Sequence, residues 1–567
     1  MKPLKANDYS IVLCGQAGQG VQTVEFLLTK IFKVVGLNVF ATKEYMSRVR
    51  GGINSTEIRV GTVPVKAFVD RIDVLIALDK SAVEHLGKRI TADTVIVAEA
   101  KFLPKGFSHS VERIIDVSFS DLAADIGGKL YSNSIAVGMV ASLFGIDLQV
   151  VEKQLKEFFA RKGQDIIDKN LAAVQKGYEF GNGKISIDIK PAGRSKEQIV
   201  LNGAQAVTLG AIAGGCNFIS AYPMSPSTAV LVFLAQHSKQ FGIVAEQAED
   251  EIAAINMAIG AWYAGARAII TTSGGGFALM TEGISLASML ETPVVVHLAQ
   301  RPGPATGLPT RTEQGDLELA LYAGHGEFPR ILFAPGTLQE AFQLTAKAFN
   351  LADKHQVPVI ILTDQYFVDS HYNIEPFNTG DTKVEKFITE TKENYTRYEL
   401  TADGISPRGI PGFGRGLVTV DSDEHNTEGH ITEDLDLRVK MVDKRLAKLD
   451  AIKSEAVKPR LWPDENYKNL ILCWGSTYHI VKEAIDTIGR NDTSLLHFSQ
   501  VYPLHESTKQ YLEKAETIAI FESNATGQLA KLIKLQTGFE IENKILKYSG
   551  LSFAVEEVIN SLKDLLG

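Results

Sequence analysis

Apolar runs of strand length, glycine turns and stretches of helical period alternate along most of the chain, and Glu249–Gly276 shows the pattern in its shortest form. Three consecutive acids, Glu249, Asp250 and Glu251, are followed by Ile252, Ile255, Ile259 and Trp262 at helical spacing, then by the apolar run Ala268–Thr272 and three glycines. The order predicts a helix, a strand and a glycine turn. Ala253, Ala254, Ala258, Gly260, Ala261 and Gly265 keep the rest of the helix surface small, as in helices that pack closely on a neighbour. Glu251 falls in the first turn, where the helix dipole favours a carboxylate and the side chain can point off the end at a ligand.

The same reading predicts strands over Ser10–Cys14, Val74–Leu78 and Thr94–Ala98 and helices over Val21–Val35, Asn133–Phe144 and Val150–Phe159. Residues 1–185 then form one α/β domain, and the polar run around 186–198 forms a linker. A second α/β domain, 199–373, starts at the strand Ile199-Val200-Leu201 and holds strands Phe218–Tyr222, Ala268–Thr272, Val294–Leu298 and Val357–Thr363. Residues 374–458 read as irregular and charged apart from a helix over Arg438–Ile452. The last domain, 459–567, returns to α/β with strands Leu470–Trp474, Ser494–Phe498 and Thr517–Glu522 and the helix Tyr478–Ile488.

Composition changes this picture little. A chain of 567 residues is too long for one core, and 45% hydrophobic with 22% charged residues is ordinary for globular domains. A net charge of −9 provides no basic footprint for nucleic acid. Cys14, Cys216 and Cys473 are too few and too far apart for a disulfide framework or a four-thiolate iron–sulfur cluster. With no long apolar segment and no leader-like N-terminus, a cytoplasmic setting without membrane contact is expected.

Chemistry enters with the motifs. Glu251 followed by Gly260 resembles the pyrimidine-binding helix of thiamine-diphosphate enzymes, in which the glutamate hydrogen-bonds the aminopyrimidine ring nitrogen and so activates the cofactor. Tyr222-Pro223-Met224-Ser225-Pro226-Ser227-Thr228 and Gln300-Arg301-Pro302-Gly303-Pro304-Ala305-Thr306-Gly307-Leu308-Pro309-Thr310 resemble two signatures of the 2-oxoacid:ferredoxin oxidoreductases. Gly15-Gln16-Ala17-Gly18-Gln19-Gly20 and the stretch Glu44–Gly52 resemble the gamma unit of the same family, so the chain is similar to a fused gamma–alpha subunit. The implied architecture is a gamma-type domain, a pyrimidine-binding domain and a transketolase C-terminal-like domain, all α/β.

The resemblance implies roles residue by residue. Glu251 would activate the cofactor, and Arg301 would clamp the carboxylate of the 2-oxoacid through two parallel charged hydrogen bonds. Tyr222, Ser225, Thr306 and Thr310 would line the substrate pocket, with serine at 225 where the family usually has threonine. Pro223, Gly274 and Gly275 would border the cofactor, and Arg311 is a candidate cation for a second substrate carboxylate. Gly18, Gly20, Arg48, Arg50 and Asn524 are candidates for coenzyme A or interface contacts. No metal site is expected on this chain; His425 and His430 in the acidic run Asp421–His430 read as part of an ordered interdomain loop.

Gly315-Asp316-Leu317 is the nearest approach to the Gly-Asp-Gly motif that holds the diphosphate through Mg²⁺, and it lacks the third glycine. The Mg²⁺ site and the [4Fe–4S] cluster are therefore expected on a beta subunit, with ferredoxin as electron acceptor and a (gamma-alpha)₂beta₂ assembly. The implied reaction is CoA-dependent oxidative decarboxylation of a 2-oxoacid, 2-oxoglutarate foremost, with pyruvate and branched-chain acids as alternatives. A non-oxidative thiamine-diphosphate decarboxylase and a non-catalytic assembly subunit are the competing classes.

Overall fold

The computed structural model describes residues 4–5, 7–16, 20–46, 52–104, 113–191, 193–380, 382–463 and 465–567. It divides into two compact units, 1–201 with 369–376 and 554–556, and 202–368 with 377–553 and 557–567.

In the first unit, a mixed sheet runs in the order Ile114–Asp116, Val95–Ala98, Val74–Ala77, Asp8–Gln16, Ile53–Gly61, Asn38–Glu44, His371–Ile374, Ile199–Asn202. Val21–Val35 forms the helix its spacing predicts, burying Val24, Leu27, Leu28, Ile31 and Phe32 against the sheet. Two strands of this sheet come from outside residues 1–185. Ile199–Asn202, expected to open the second domain, is an edge strand here, and His371–Ile374 pairs antiparallel with Asn38–Glu44. The pairing is reinforced where Val39 N donates to Asn373 Oδ1 at 2.6 Å. Short apolar strands carry no mark of which sheet they will join, because the ladder partner is hundreds of residues away.

The second unit is built on a sheet ordered Val244–Gln247, Phe218–Ala221, Ala268–Thr272, Val294–Gln300, Pro358–Asp364, Ile331–Phe333, Gln500–Tyr502. All neighbours pair in parallel except the last. Ala268–Thr272 and Val294–Gln300 are buried throughout, which explains why they read as continuous apolar runs rather than as an alternation. A further sheet, Arg460–Trp462, Thr493–Phe498, Asn469–Trp474, Thr517–Glu522, Asn543–Leu546, forms the C-terminal part.

Residues 377–458 have little regular structure before the helix Leu435–Ser454, yet they are anchored by buried charge. Arg408 donates to Asp353 Oδ1 at 2.5 Å and to the Trp262 carbonyl at 3.1 Å. Arg267 reaches the other oxygen of Asp353 at 3.0 Å, and both guanidinium groups lie within 6 Å of the Trp262 ring. Trp262 lies in the last turn of the helix that Glu251 begins, so these arginines hold that helix at its far end. His425 is buried against Tyr398 with ring centroids 3.8 Å apart, and its Nδ1 lies 2.9 Å from the Asp423 carbonyl. Glu424 pairs with Arg438 and Arg445.

Candidate active site

Three adjacent parallel strands end at one edge, where open α/β sheets present ligand contacts. Phe218–Ala221 leads into Tyr222–Ser225, Ala268–Thr272 into Ser273–Gly276, and Val294–Gln300 into Arg301. The helix Glu251–Tyr263 packs behind them, capped by Asp250, whose carboxylate accepts from Ala253 N at 2.7 Å. Ser220 Oγ ties strand to helix by donating to the Ala254 carbonyl at 2.7 Å.

Glu251 is 3% exposed, and its Oε1 has no hydrogen-bond partner among the described residues. Burial pushes its pKa up, the Asp250 charge adds to the rise, and Arg301 opposes both. Such an unpaired buried oxygen is costly unless a donor from outside the chain meets it. The three-glycine run is a short helix, Gly274–Leu279, rather than the turn expected. A Cβ on Gly276 would stand 2.2 Å from Thr272 Oγ1 and 2.4 Å from Glu251 Oε1, so only glycine lets the acid lie against this helix. Gly276→Ala is expected to displace the Glu251 carboxylate and cut turnover of the assembled enzyme about a hundredfold. Steady-state kinetics beside a thermal melt would check it: a large loss of kcat with a melting temperature lowered by only a few degrees is the expected pair.

Arg301 is 9% exposed and donates through Nη1 to the Ser225 carbonyl at 2.7 Å; its Nε has no partner. Burial depresses its pKa, while Asp316 and Glu251 pull it up. The contact thus runs to the backbone of Ser225, which orients the Tyr222–Ser225 loop against the arginine. Tyr222 is 40% exposed at the loop's start, and Pro223 is half-buried. A Cβ on Gly275 would meet the Ala305 carbonyl and Met224 Sδ at ordinary contact distance. Thr310 is buried, whereas Thr306 lies on the exposed stretch 303–308. Arg311 is half-buried.

Other expected contacts lie elsewhere. Gly18, Arg48 and Arg50 fall outside the described residues. Gly20 belongs to the first unit, at the head of the Val21–Val35 helix, where it lines a hollow of about 290 Å³ with Lys43, Tyr45 and Ser55. Asn524 is 1% exposed; it accepts from Gly527 N at 2.8 Å and donates to the Gln314 carbonyl and Glu522. Its side chain is spent internally, joining the C-terminal sheet to the loop before the Leu317–Tyr322 helix.

The structure adds a residue that the motifs passed over as an incomplete diphosphate signature. Asp316 approaches the same glycine run from the opposite side, with its Oδ2 buried and unpartnered. An acid at the start of a helix that follows the arginine loop was the available signal.

Two family models match the chain: pyruvate ferredoxin/flavodoxin oxidoreductase over residues 10–180, and pyruvate flavodoxin/ferredoxin oxidoreductase, thiamine diP-bdg, over residues 209–444. A 2-oxoacid:ferredoxin oxidoreductase subunit alpha from Sulfolobus is 31% identical, the match covering 98% of this chain and 96% of the relative. A 2-oxoglutarate oxidoreductase subunit from Mycobacterium tuberculosis is 28% identical, over 97% and 90%. The solved 2-oxoglutarate:ferredoxin oxidoreductase of Magnetococcus marinus, with 2-oxoglutarate, coenzyme A and succinyl-CoA bound, superposes with a TM-score of 0.92 at 29% identity, covering 99% of this chain and all of that one. With its three strand ends, its buried unpaired glutamate and a curated relative matched from end to end, the chain belongs to the 2-oxoacid:ferredoxin oxidoreductases, as an alpha subunit.

Proposed function

We propose that this subunit catalyses, with a beta subunit, the CoA-dependent oxidative decarboxylation of 2-oxoglutarate to succinyl-CoA and CO₂, passing electrons to ferredoxin. The carrying observation is the buried, unpaired Glu251 Oε1 beside Gly276, with Arg301 within electrostatic reach. These residues fit the pyrimidine half of thiamine diphosphate: a buried acceptor set against a helix that opens on three glycines. The cofactor, when bound, supplies stabilisation of the carbanion left by decarboxylation. Glu251 would hold the pyrimidine ring by sharing a proton at Oε1, Gly274 and Gly275 would border the cofactor, and Pro223 would shape the wall beside it. Arg301 fixes the substrate carboxylate, with Tyr222, Ser225, Thr306 and Thr310 around it and Arg311 toward a second carboxylate.

Mg²⁺ and the [4Fe–4S] cluster are assigned to the beta subunit in a cytoplasmic (gamma-alpha)₂beta₂ assembly. Gly20, together with Gly18, Arg48 and Arg50, is assigned to coenzyme A or subunit contacts. The domain limits proposed for this arrangement remain 1–185, 199–373, 374–458 and 459–567. The named substrates of the Mycobacterium and Magnetococcus relatives support 2-oxoglutarate. Co-expression with a beta subunit, followed by CoA-dependent reduction of a low-potential dye, tests the proposal. Activity with 2-oxoglutarate that needs both chains is expected; higher kcat/KM with pyruvate or 2-oxoisovalerate reassigns the substrate, and CO₂ release without CoA or dye reduction rejects the oxidative reaction.

A further inference from the structure

The loop that begins at Arg301 is closed at its neck. Asp316 N donates to Gln300 Oε1 at 3.0 Å, and Gln300 Nε2 donates to the Thr363 carbonyl at 3.0 Å, so residues 301–315 leave and rejoin the sheet edge at one side chain. A loop whose ends adjoin takes its shape from the side chains packed on it, having no ladder of its own. The two limbs are held differently. The outgoing limb carries Arg301 and runs over the exposed stretch 303–308, turning back where Leu308 N donates to the Pro302 carbonyl at 3.1 Å.

The return limb, from Thr310 to Asp316, is bound by the C-terminal sheet, with the buried Gln314 at the centre. Its amide donates to the Ser523 carbonyl at 2.6 Å, its Oε1 accepts from Ser523 N at 3.0 Å, and its Nε2 donates to the Trp474 carbonyl at 2.8 Å. Its own carbonyl accepts from Asn524 Nδ2 at 3.2 Å. Trp474 ends one strand and Ser523 follows its parallel neighbour Thr517–Glu522, so a single residue spans two strand ends. Bonds on either side repeat the arrangement. Thr312 N donates to the Gly550 carbonyl at 3.1 Å and Thr312 Oγ1 to Asp364 Oδ1 at 3.1 Å, while Gln528 Nε2 donates to the Gly315 carbonyl at 2.8 Å. Ser476 donates to the other oxygen of Asp364. Cohesion alone does not ask for this. Apolar side chains would join the two sheets with less desolvation, whereas a buried amide with donor and acceptor both engaged permits one register.

Resting on the reading that Arg301 receives the carboxylate of the 2-oxoacid, we infer that Gln314 is a positioning residue of the substrate subsite, through which the C-terminal strand ends set the loop carrying Arg301 and Thr310. The acid half of the site has separate support. Glu251 is placed by its Asp250 cap, by the bond from Ser220 to the Ala254 carbonyl and by its seat against Gly276. Releasing Gln314 therefore loosens the hold on substrate and leaves the pyrimidine side as it was.

The test is Gln314→Met in the complex assembled with the beta subunit, since methionine keeps the length of the side chain and removes its bonding groups. With the 2-oxoacid on which the complex is most active, KM is expected to rise about tenfold, with kcat and thiamine diphosphate affinity each within about twofold of wild type. KM carries the effect because the carboxylate gripped by Arg301 is held in the bound substrate and departs as CO₂, so little of that grip is gained in the transition state. Gln528→Met, which cuts the bond to Gly315 from the Gln528–Thr537 helix, is expected to raise KM about threefold, and it decides the matter if Gln314→Met does not assemble. An unchanged KM in the assembled variants overturns the inference. So does a fall in kcat alone, the mark of a smaller folded fraction, or an equal loss of thiamine diphosphate affinity, the mark of a general scaffold. Failure of the underlying reading shows separately: Arg301→Gln would then leave KM for the 2-oxoacid unchanged.

Discussion

Glu251→Gln is expected to lower CoA-dependent dye reduction by the assembled enzyme on the order of a thousandfold while leaving its thermal stability unchanged or raised. The amide keeps the size of the carboxyl and its place against Gly276, so the glycine helix is undisturbed. What it loses is the capacity to exchange a proton at Oε1, a buried oxygen without a partner among the described residues. Stability does not fall, because a buried carboxylate with a raised pKa is itself a strain on the fold. The raised pKa implies that this strain eases at low pH, where the group is protonated, and grows as pH rises through its folded value. Comparing kcat with urea midpoints for wild type and variant at neutral pH separates the effects. Full retention of activity would remove Glu251 from the chemistry, and joint loss of activity and stability would make it structural.

The largest expected effect on the fold lies away from the site. Glu291→Gln should cost about 3–5 kcal/mol. Glu291 is 1% exposed and receives Lys444 Nζ at 2.6 Å and Lys448 Nζ at 2.5 Å; Arg397 donates to its carbonyl at 2.6 Å. Burial alone would raise its pKa, yet the two lysines with Arg397 hold it well below the usual carboxylate range. Its backbone sits at φ 47°, so the ion pairs also hold a conformation costing about 1–2 kcal/mol in a non-glycine residue. Removing the charge leaves two buried ammonium groups facing an amide. A lowered urea midpoint, with faster hydrogen exchange in the Leu435–Ser454 helix, is the expected observation. Glu291→Gly relieves the backbone and should still be less stable than wild type; a neutral result there would limit the net contribution of the ion pairs to about the 1–2 kcal/mol of strain relieved.

Elements whose apolar face depends on their own residues were legible from the chain alone. Val21–Val35, Ala268–Thr272, Tyr478–Ile488 and Thr517–Glu522 fall where spacing places them. In the Glu251 helix, by contrast, Ile255, Ile259 and Trp262 are buried but Ile252 is 48% exposed, since helical period fixes which residues share a face and not where the neighbouring strands stop. Residues 374–458 read as irregular and charged, which does not predict burial. Arg397, Arg408, Lys444 and Lys448 are instead buried anchors, each meeting an acceptor supplied by a distant part of the chain.

The site divides in the same way. Glu251, the Tyr222–Ser225 loop and Arg301 could be named from motifs because each follows a local element whose end the sequence marks. That they converge is a property of the sheet, whose order sets Phe218–Ala221, Ala268–Thr272 and Val294–Gln300 side by side. Only the tertiary structure decided that Arg301 holds a backbone carbonyl, that Asn524 is consumed within the fold, and that Ile199–Asn202 and His371–Ile374 join the first sheet. It also decided that Asp316 faces the glycine helix with an unpaired oxygen. The physical reason is common to all of these. Period and turn chemistry are set by neighbours a few residues away, whereas burial, pairing and the proton affinity of a carboxyl are set by whichever distant groups the fold brings within a few ångströms.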